Sequence, residues 1–500
     1  MPTRDNVELE IKFDVEPGTP APDLTQVDAI ASVSEPQTED LSATYFDTNS
    51  LDLAGNRITL RRRTGGHDAG WHLKRPLAGD GRRETQADLG DSPDESTVPE
   101  SLASQIVVHV RGRRLVPVAV IDTQREVTVA YDDSGDELGE LARDTVTASS
   151  LLPGGTSQTW SEWEFELRPD HTDAAGRAVL ADVGSVLTAA GARPASSSSK
   201  LARAIGSTPV VAQRSLGDHP TALELVLMSL RRHRDLLVDH DPRVRADEDD
   251  AVHQMRVAAR RLRSVIRGFP GVLDGPRTDA LAEELKVLGQ VLGAARDAEV
   301  QLARHRELLA DEEQRPLLTR SLVEDVSHAH DRAVERVHAA LDSDRYLALL
   351  DMLDAMIGDP EPGPHADDDA KDAVAQAVSH TRKAVKKATR RVDELPADSH
   401  EWEEAVHTVR KKAKALRYSA EAEKDLGVDA HRKTARRAAA IQDALGDFHD
   451  AVISRHRLTR LRRTGAADRD DTFVLGRLDA REQQMCAESI ATWRALARKL

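Results

Sequence analysis

Apolar and polar positions alternate in short runs up to about residue 205 and recur at helical spacing from there on. In the first part, VELEIKF (7–13), ATYFDT (43–48), NRITLRRR (56–63), GWHLKRP (70–76), QREVTVAY (124–131) and WSEWEFEL (160–167) predict strands, separated by Gly, Pro, Asp and Asn clusters. Residues 172–190 place Ala175, Val179, Val183, Val186 and Leu187 at helical spacing, with Gly191 as the C-cap. Short antiparallel strands plus a helix predict an α+β domain over 1–206, with a barrel as one arrangement. The composition of 207–220 reads as a linker. From Thr221 to Leu500 the pattern is helical almost throughout, which predicts an all-α domain over 221–500. GDPEPGPHADDD (358–369) divides it into parts of similar size, about 221–357 and 370–500.

These two parts repeat each other. VHQMRVAARRLRSVIR (252–267) resembles VHTVRKKAKALRYSAE (406–421), and VLGAARDAEV (291–300) resembles ALGDFHDAVI (444–453). His253 precedes Asp297 by 44 residues and His407 precedes Asp450 by 43. Matched motifs at matched separation indicate an internal duplication of a helical unit.

Composition then narrows the function. Aromatic residues are 3% of the 500, so the cores must be packed by aliphatic side chains. The single cysteine, Cys486, excludes an intramolecular disulfide framework and a cysteine-based zinc site, and it suits a reducing compartment. No apolar run approaches the ~20 residues of a membrane helix, and the N-terminal stretch lacks the apolar core of a signal peptide. A cytoplasmic location is expected. With 69 Lys and Arg against 86 Asp and Glu, the net charge of −17 argues against a general nucleic-acid binder. Local basic surfaces remain.

In VELEIKF the period of a strand puts Glu8, Glu10 and Lys12 on one face and only apolar residues on the other. WSEWEFEL repeats this with Glu162, Glu164 and Glu166. Neighbouring glutamates on one face repel unless a cation joins them. Between these strands lie Arg61, Arg63, Lys74, Arg83 and Arg125. Carboxylates for a hard divalent cation, with Arg and Lys for phosphate oxygens, are the equipment of phosphoryl transfer. A half-solvated sheet with outward charges is the alternative. The ordered set E-x-E-x-K (8–12), YFDT (45–48), LRRR (60–63), WHLK (71–74), E-x-E-x-E (162–166) and SSK (198–200) resembles the CYTH superfamily of triphosphate tunnel metalloenzymes. The resemblance implies an eight-stranded antiparallel β tunnel over about residues 3–206. It also implies Mg²⁺ or Mn²⁺ on Glu8, Glu10, Glu162, Glu164 and Glu166, with Asp144 a further candidate that could equally be a turn residue. Lys12, Arg61, Arg63, Lys74, Arg125 and Lys200 then hold phosphates, and Arg83 beside Arg82 leaves its register open. Together with Glu8 and Glu10 these form the expected catalytic set.

In the helical part, His253, Arg256, Arg260, Arg263 and Arg267 are spaced 3, 4, 3, 4 and form one helix stripe. His407, Arg410, Lys414 and Arg417 repeat it. Exposed helices usually intersperse opposite charges at i,i+4, and these stripes contain none, so an anionic partner explains them better than solvation. TRKAVKKATRR (381–391) and HRKTARR (431–437) add cations that either extend the same surface or are solvated faces. The stripes, with Arg296–Asp297 and His449–Asp450, resemble the CHAD domain. That resemblance implies two pseudo-symmetric helical bundles around a basic cavity that binds inorganic polyphosphate through the stripes, Arg296 and His449. Imidazoles among arginines fit phosphate better than a metal, and Asp297 and Asp450 fit the orienting of a basic side chain or the capping of a helix. The expected function is metal-dependent hydrolysis of inorganic triphosphate or polyphosphate with polyphosphate binding, in the cytoplasm or at polyphosphate granules. The alternatives are a non-catalytic granule-targeting protein and a tunnel enzyme for a nucleotide or thiamine triphosphate. Neither nucleic acid nor membrane is an expected partner.

Overall fold

The computed structural model describes residues 3–77, 81–90, 96–206, 216–312, 315–397 and 399–500. The chain forms two compact units, Met1–Gln213 and Arg214–Leu500. Of the expected linker, 207–215 lies outside the described residues.

The first unit contains β1 (Thr3–Glu8), β2 (Glu10–Val15), β3 (Ser32–Val33), β4 (Gln37–Asp47), β5 (Thr59–Thr64), β6 (Gly70–Pro76), β7 (Arg82–Ala87), β8 (Val116–Tyr131), β9 (Glu137–Ser150), β10 (Ser157–Leu167) and β11 (Arg193–Pro194). Its helices are α1 (Asp52–Gly55), α2 (Glu100–Val110), α3 (Ala174–Ala189) and α4 (Lys200–Ile205). Every strand pair is antiparallel, in the order β1-β7-β6-β5-β4-β8-β9-β10-β2. Because β1 and β2 are consecutive, the two ends of this order meet. The sheet closes into a tunnel of eight strand positions, with β1 and β2 sharing one.

That closure corrects the single strand expected over 7–13. The run breaks at Leu9: Glu8 pairs with Arg82 of β7, whereas Glu10 pairs with Glu166 of β10. A closing barrel hands one chain run from one neighbour to another, and the side-chain alternation continues through the break, so the period carries no sign of it. The sequence pattern also understates the sheet. β8 begins at Val116 rather than 124, and β7, β9 and α2 had no counterpart. Asp144, open as a turn residue, lies within β9 and is buried.

The apolar faces of the strands point outward and are covered from outside. Phe13, Trp163, Phe165 and Leu167 pack against Leu180, Val183 and Leu187 of α3. Leu102 and Ile106 of α2 cover Leu60, Trp71 and Leu73. Leu201 and Ala204 of α4 pack instead on the inner side, against Ile121, Val146, Ala148 and Trp160, which share strand faces with Arg125, Asp144 and Glu162. Burying each such side chain contributes about 1.5–3 kcal/mol, which offsets the cost of enclosing charges on the inner face. Gly191 (φ 100°) takes the left-handed position one residue after the α3 cap, Ala190.

The second unit is α-helical: α5 (Ala222–Arg245), α6 (Ala251–Gly268), α7 (Pro276–Leu309), α8 (Pro316–Leu318), α9 (Asp325–Leu341), α10 (Asp344–Gly358), α11 (Ala370–Asp393), α12 (His400–Glu421), α13 (Arg432–Arg463) and α14 (Arg469–Ala497). A capping box between Thr221 and Glu224 starts α5. The triplets α5–α6–α7 and α11–α12–α13 pack in the same sequence, and α6 meets α12. Met255 and Leu262 of α6, like Val409 and Leu416 of α12, are fully buried, which fixes the rotation of both stripe helices.

Candidate functional site

A cavity of about 320 Å³ runs inside the sheet. Glu8, Glu10, Lys12, Arg61, Arg63, Lys74, Arg125, Glu164, Glu166 and Lys200 line it, and Asp144 and Glu162 lie buried behind Lys200. Arg82 faces the cavity and Arg83 does not, which decides the register left open between them.

The charges fall into two groups. In the first, Lys200 at the start of α4 places Nζ 2.5 Å from Glu162, 2.8 Å from Glu164 and 3.0 Å from Asp144. Arg125 donates two hydrogen bonds to Asp144 (2.9 and 2.7 Å) and one to Glu164 (3.0 Å). Lys12 donates to Glu164 at 2.5 Å. Burial alone would raise the pKa of Glu164, but Lys12, Lys200 and Arg125 outweigh it and hold the carboxyl well below its usual range. Three carboxylates thus face three cations.

In the second group acids predominate. Glu10 stands opposite Glu166, and Glu166 opposite Glu140. Burial pushes Glu166 up to about 8, and Glu8, Glu10 and Glu140 add to the rise against Lys74. Glu8 is raised to about 7 by burial, again against Lys74, with Glu84 and Glu10 adding. Its Oε2 is 2.7 Å from Lys74 Nζ, yet it has no partner in hydrogen-bond geometry. The distance shows attraction, and the geometry shows an acceptor left unsatisfied.

The helical unit holds a cavity of about 560 Å³. His253, Arg256 and Arg260 of α6, Arg296 of α7, His407, Arg410, Lys414 and Arg417 of α12, and His449 of α13 line it. Arg263 and Arg267 do not. Arg267 turns instead to Asp279 of α7 at 3.0 Å, as the last turn of α6 passes the acidic start of that helix. Arg256 pairs with Asp297 at 3.0 Å. Lys414 has no ion pair among the described residues, and burial beside Arg410, Arg260 and Arg256 pushes it down to about 7. His407 falls to about 4 through burial, then Lys411 and His449. The His407 and His449 ring centroids lie 5.0 Å apart with the planes tilted by 39°, and Nδ1 of both His253 and His407 is buried without a partner. Gly446 admits Arg410 onto the α13 backbone: a Cβ there would lie 3.3 Å from its guanidinium.

A CYTH domain model matches residues 6–181 and a CHAD domain model matches 229–459. The chain is 37% identical over 508 residues, 99% of its own length and 96% of theirs, to uncharacterized proteins of Mycobacterium tuberculosis strains CDC 1551 / Oshkosh and ATCC 25618 / H37Rv. It belongs to the CYTH–CHAD family. Among solved structures it is similar to PptA from Streptomyces chartreusis (18% identity, 56% of this chain and 99% of that one, TM-score 0.47). It is also similar to the CHAD domain from the plant Ricinus communis (27% identity, 58% and 96%, TM-score 0.45). CYTH domains are associated with triphosphate and CHAD domains with polyphosphate.

Within the CYTH tunnel, oxygen donors for a hard cation are present in both charge groups. Asp144, Glu162 and Glu164 bring one oxygen each within 4.8 Å of one another. Their charge is already balanced by Lys200, Arg125 and Lys12. Around Glu8, Glu10, Glu140 and Glu166 the carboxylates outnumber the cations, although Glu10 pairs with Lys12 at 3.1 Å and Glu8 with Lys74 at 2.7 Å. Charge therefore favours that wall for a divalent ion where proximity favours the other. An unsatisfied oxygen occurs in both groups, on Glu8 and on Glu162. Sequence reasoning missed Glu84, which accepts from His72 Nδ1 (2.9 Å) and lies 3.6 Å from Lys74 and 3.9 Å from Arg61. It missed Glu140 and Tyr45 as well, and Tyr418 in the CHAD cavity, whose hydroxyl accepts from Arg260 at 2.7 Å. For Glu140 a signal existed: it stands four positions before Asp144, on the same face of β9.

Proposed function

We propose that the tunnel hydrolyses inorganic triphosphate or the ends of polyphosphate with Mg²⁺ or Mn²⁺, and that the CHAD cavity binds polyphosphate without cleaving it. The observation that carries this reading is that the tunnel interior gathers Lys and Arg side chains together with an acid-rich wall, Glu8, Glu10, Glu140 and Glu166, where carboxylates outnumber cations. Lys12, Arg61, Arg63, Lys74, Arg125 and Lys200 would neutralise and align the phosphate oxygens. Arg61 donates to the Tyr45 hydroxyl at 3.4 Å and Arg125 is clamped by Asp144, so both guanidinium groups are positioned before substrate arrives. Glu8, Glu10 and Glu166 would hold the divalent ion, which supplies Lewis-acid neutralisation of the transferred phosphoryl group. Most of these side chains are buried or half-buried, which strengthens each of these interactions relative to bulk water.

The CHAD cavity has no comparable acidic wall. Its lining suits retention of an anion, and it would hold the protein at cytoplasmic polyphosphate granules. The test is phosphate release from tripolyphosphate, long-chain polyphosphate, ATP and thiamine triphosphate with each metal. Fastest release from tripolyphosphate is expected. Intact polyphosphate binding with no release from any of the four would make the protein a binding protein only.

A further inference from the structure

The cations of 381–391 and 431–437 do not line the polyphosphate cavity. They form a surface of their own. Lys383, Lys386, Lys387 and Arg390 of α11 are exposed, as are Lys433 and Arg436 of α13. Arg382 bridges the two helices by donating to the Thr434 hydroxyl at 2.8 Å. Among the described residues none of those six side chains makes an ion pair or hydrogen bond. Residues 373–392 and 432–442 contain no Asp or Glu, in a chain of net charge −17. The first turn of α13 has no acid either, so its cations sit at the positive end of a helix, where they cost stability unless an anion is present.

The duplicated half shows that this is not a generic solvated face. Shifting by the 153 residues that separate Asp297 from Asp450 places Asp279, Glu283 and Glu284 of α7 at Arg432, Arg436 and Arg437. In the first half Asp279 and Glu283 close off the stripe by pairing with Arg267, at 3.0 and 3.9 Å, and Glu284 pairs with Arg345 at 2.6 Å. In the second half the same positions are cationic. The surface is also continuous with the cavity. Arg436 precedes Asp443, a cavity residue, by seven positions. Two turns put them on one face of α13, roughly 10 Å apart at 1.5 Å per residue.

We propose that α11 and the start of α13 form a second docking surface for inorganic polyphosphate, taking the chain as it leaves the cavity past Arg417 and Asp443. The inference rests on the cavity reading above. Residues 373–392 and 432–442 contain no Phe, Trp or Tyr, so these segments offer no platform for base stacking, and unpaired Lys and Arg fit a chain of phosphates. A short chain is satisfied by the cavity, whereas a long chain engages both.

The test uses the full-length protein in EDTA with labelled tripolyphosphate and labelled long-chain polyphosphate. In Lys386→Glu/Arg390→Glu and in Lys433→Glu/Arg436→Glu, long-chain affinity should fall about tenfold and its salt dependence should flatten by about 0.7 per lost contact. Tripolyphosphate affinity should stay unchanged, which also shows that the variants fold. Unchanged long-chain affinity in both variants overturns the proposal. So does a loss confined to duplex DNA, which would assign the surface to nucleic acid. The control is Arg256→Glu/Arg410→Glu: if it weakens neither chain, the cavity reading fails, whatever the surface variants do.

Discussion

The tunnel and the CHAD cavity both gather cations, but they hold them in opposite ways. In the tunnel nearly every cation is gripped by carboxylates: Lys200 by Asp144, Glu162 and Glu164, Arg125 by Asp144 and Glu164, and Lys74 by Glu8 and Glu84. Lys74 is accordingly raised above the ordinary lysine value: burial lowers it, and Glu84, Glu8 and Glu10 more than reverse that. In the cavity Lys414 and Arg410 have no ion pair among the described residues, and burial beside other cations lowers both. The tunnel is thus rigidly positioned before substrate arrives, and the cavity is a region of stored repulsion that an anion relieves. The first suits chemistry and the second suits retention.

The largest test of that contrast is Glu10→Gln. It removes one charge from the acidic wall at constant shape, and triphosphate hydrolysis should fall by about two to three orders of magnitude. EDTA should abolish turnover while leaving polyphosphate retention by the cavity intact. Full activity in EDTA would sink the metal assignment. Arg410→Glu, in the cavity, should do the reverse: polyphosphate affinity should drop by roughly 100-fold in a binding titration, with the rate on tripolyphosphate unchanged.

Glu84→Gln asks whether the tunnel can be made to resemble the cavity. It leaves Lys74 and Arg61 buried with less compensation, so stability should fall by about 2–4 kcal/mol in a denaturant titration. Tripolyphosphate should bind more tightly, seen as a lower KM. A variant as stable as the parent would show that the ion pairs of the tunnel are not structural.

A smaller effect follows from pH. Lys414 stands at about 7, and phosphate oxygens favour its charged form, so binding takes up a proton. Polyphosphate affinity should therefore be level below pH 7 and decline above it, by at most about tenfold per unit for one proton. Lys414→Arg should remove the decline, and an identical pH profile in that variant would exclude Lys414 as the titrating group. The smallest effect is expected for Asp297→Asn. Its carboxylate is 66% exposed, so loss of the pair with Arg256 should change stability by less than about 0.5 kcal/mol.

Local periodicity by itself determined much of this protein. Alternation in VELEIKF and WSEWEFEL put Glu8, Glu10, Lys12, Glu162, Glu164 and Glu166 on single strand faces, because a strand has period two whatever it pairs with. The 3, 4 spacing put His407, Arg410, Lys414 and Arg417 on one stripe, and duplication paired it with the stripe of α6. Strands without strong apolar alternation, such as β9 with Gly139, Glu140 and Arg143, gave no comparable pattern, so Glu140 and the strand position of Asp144 stayed hidden.

What only tertiary structure decided is which charges meet. Register across the closed sheet, not spacing along the chain, set Glu10 opposite Glu166 and left the acidic wall short of cations. The break at Leu9 follows from closing the barrel, a global condition that seven residues cannot express. Arg263 and Arg267 continue the sequence stripe yet miss the cavity, because a helix face is shared with whatever packs beside it, and there the acidic start of α7 takes Arg267. Desolvation is likewise a property of the whole fold, so the lowered Lys414 and the raised Glu166 belong to the packed molecule and not to any segment of its sequence.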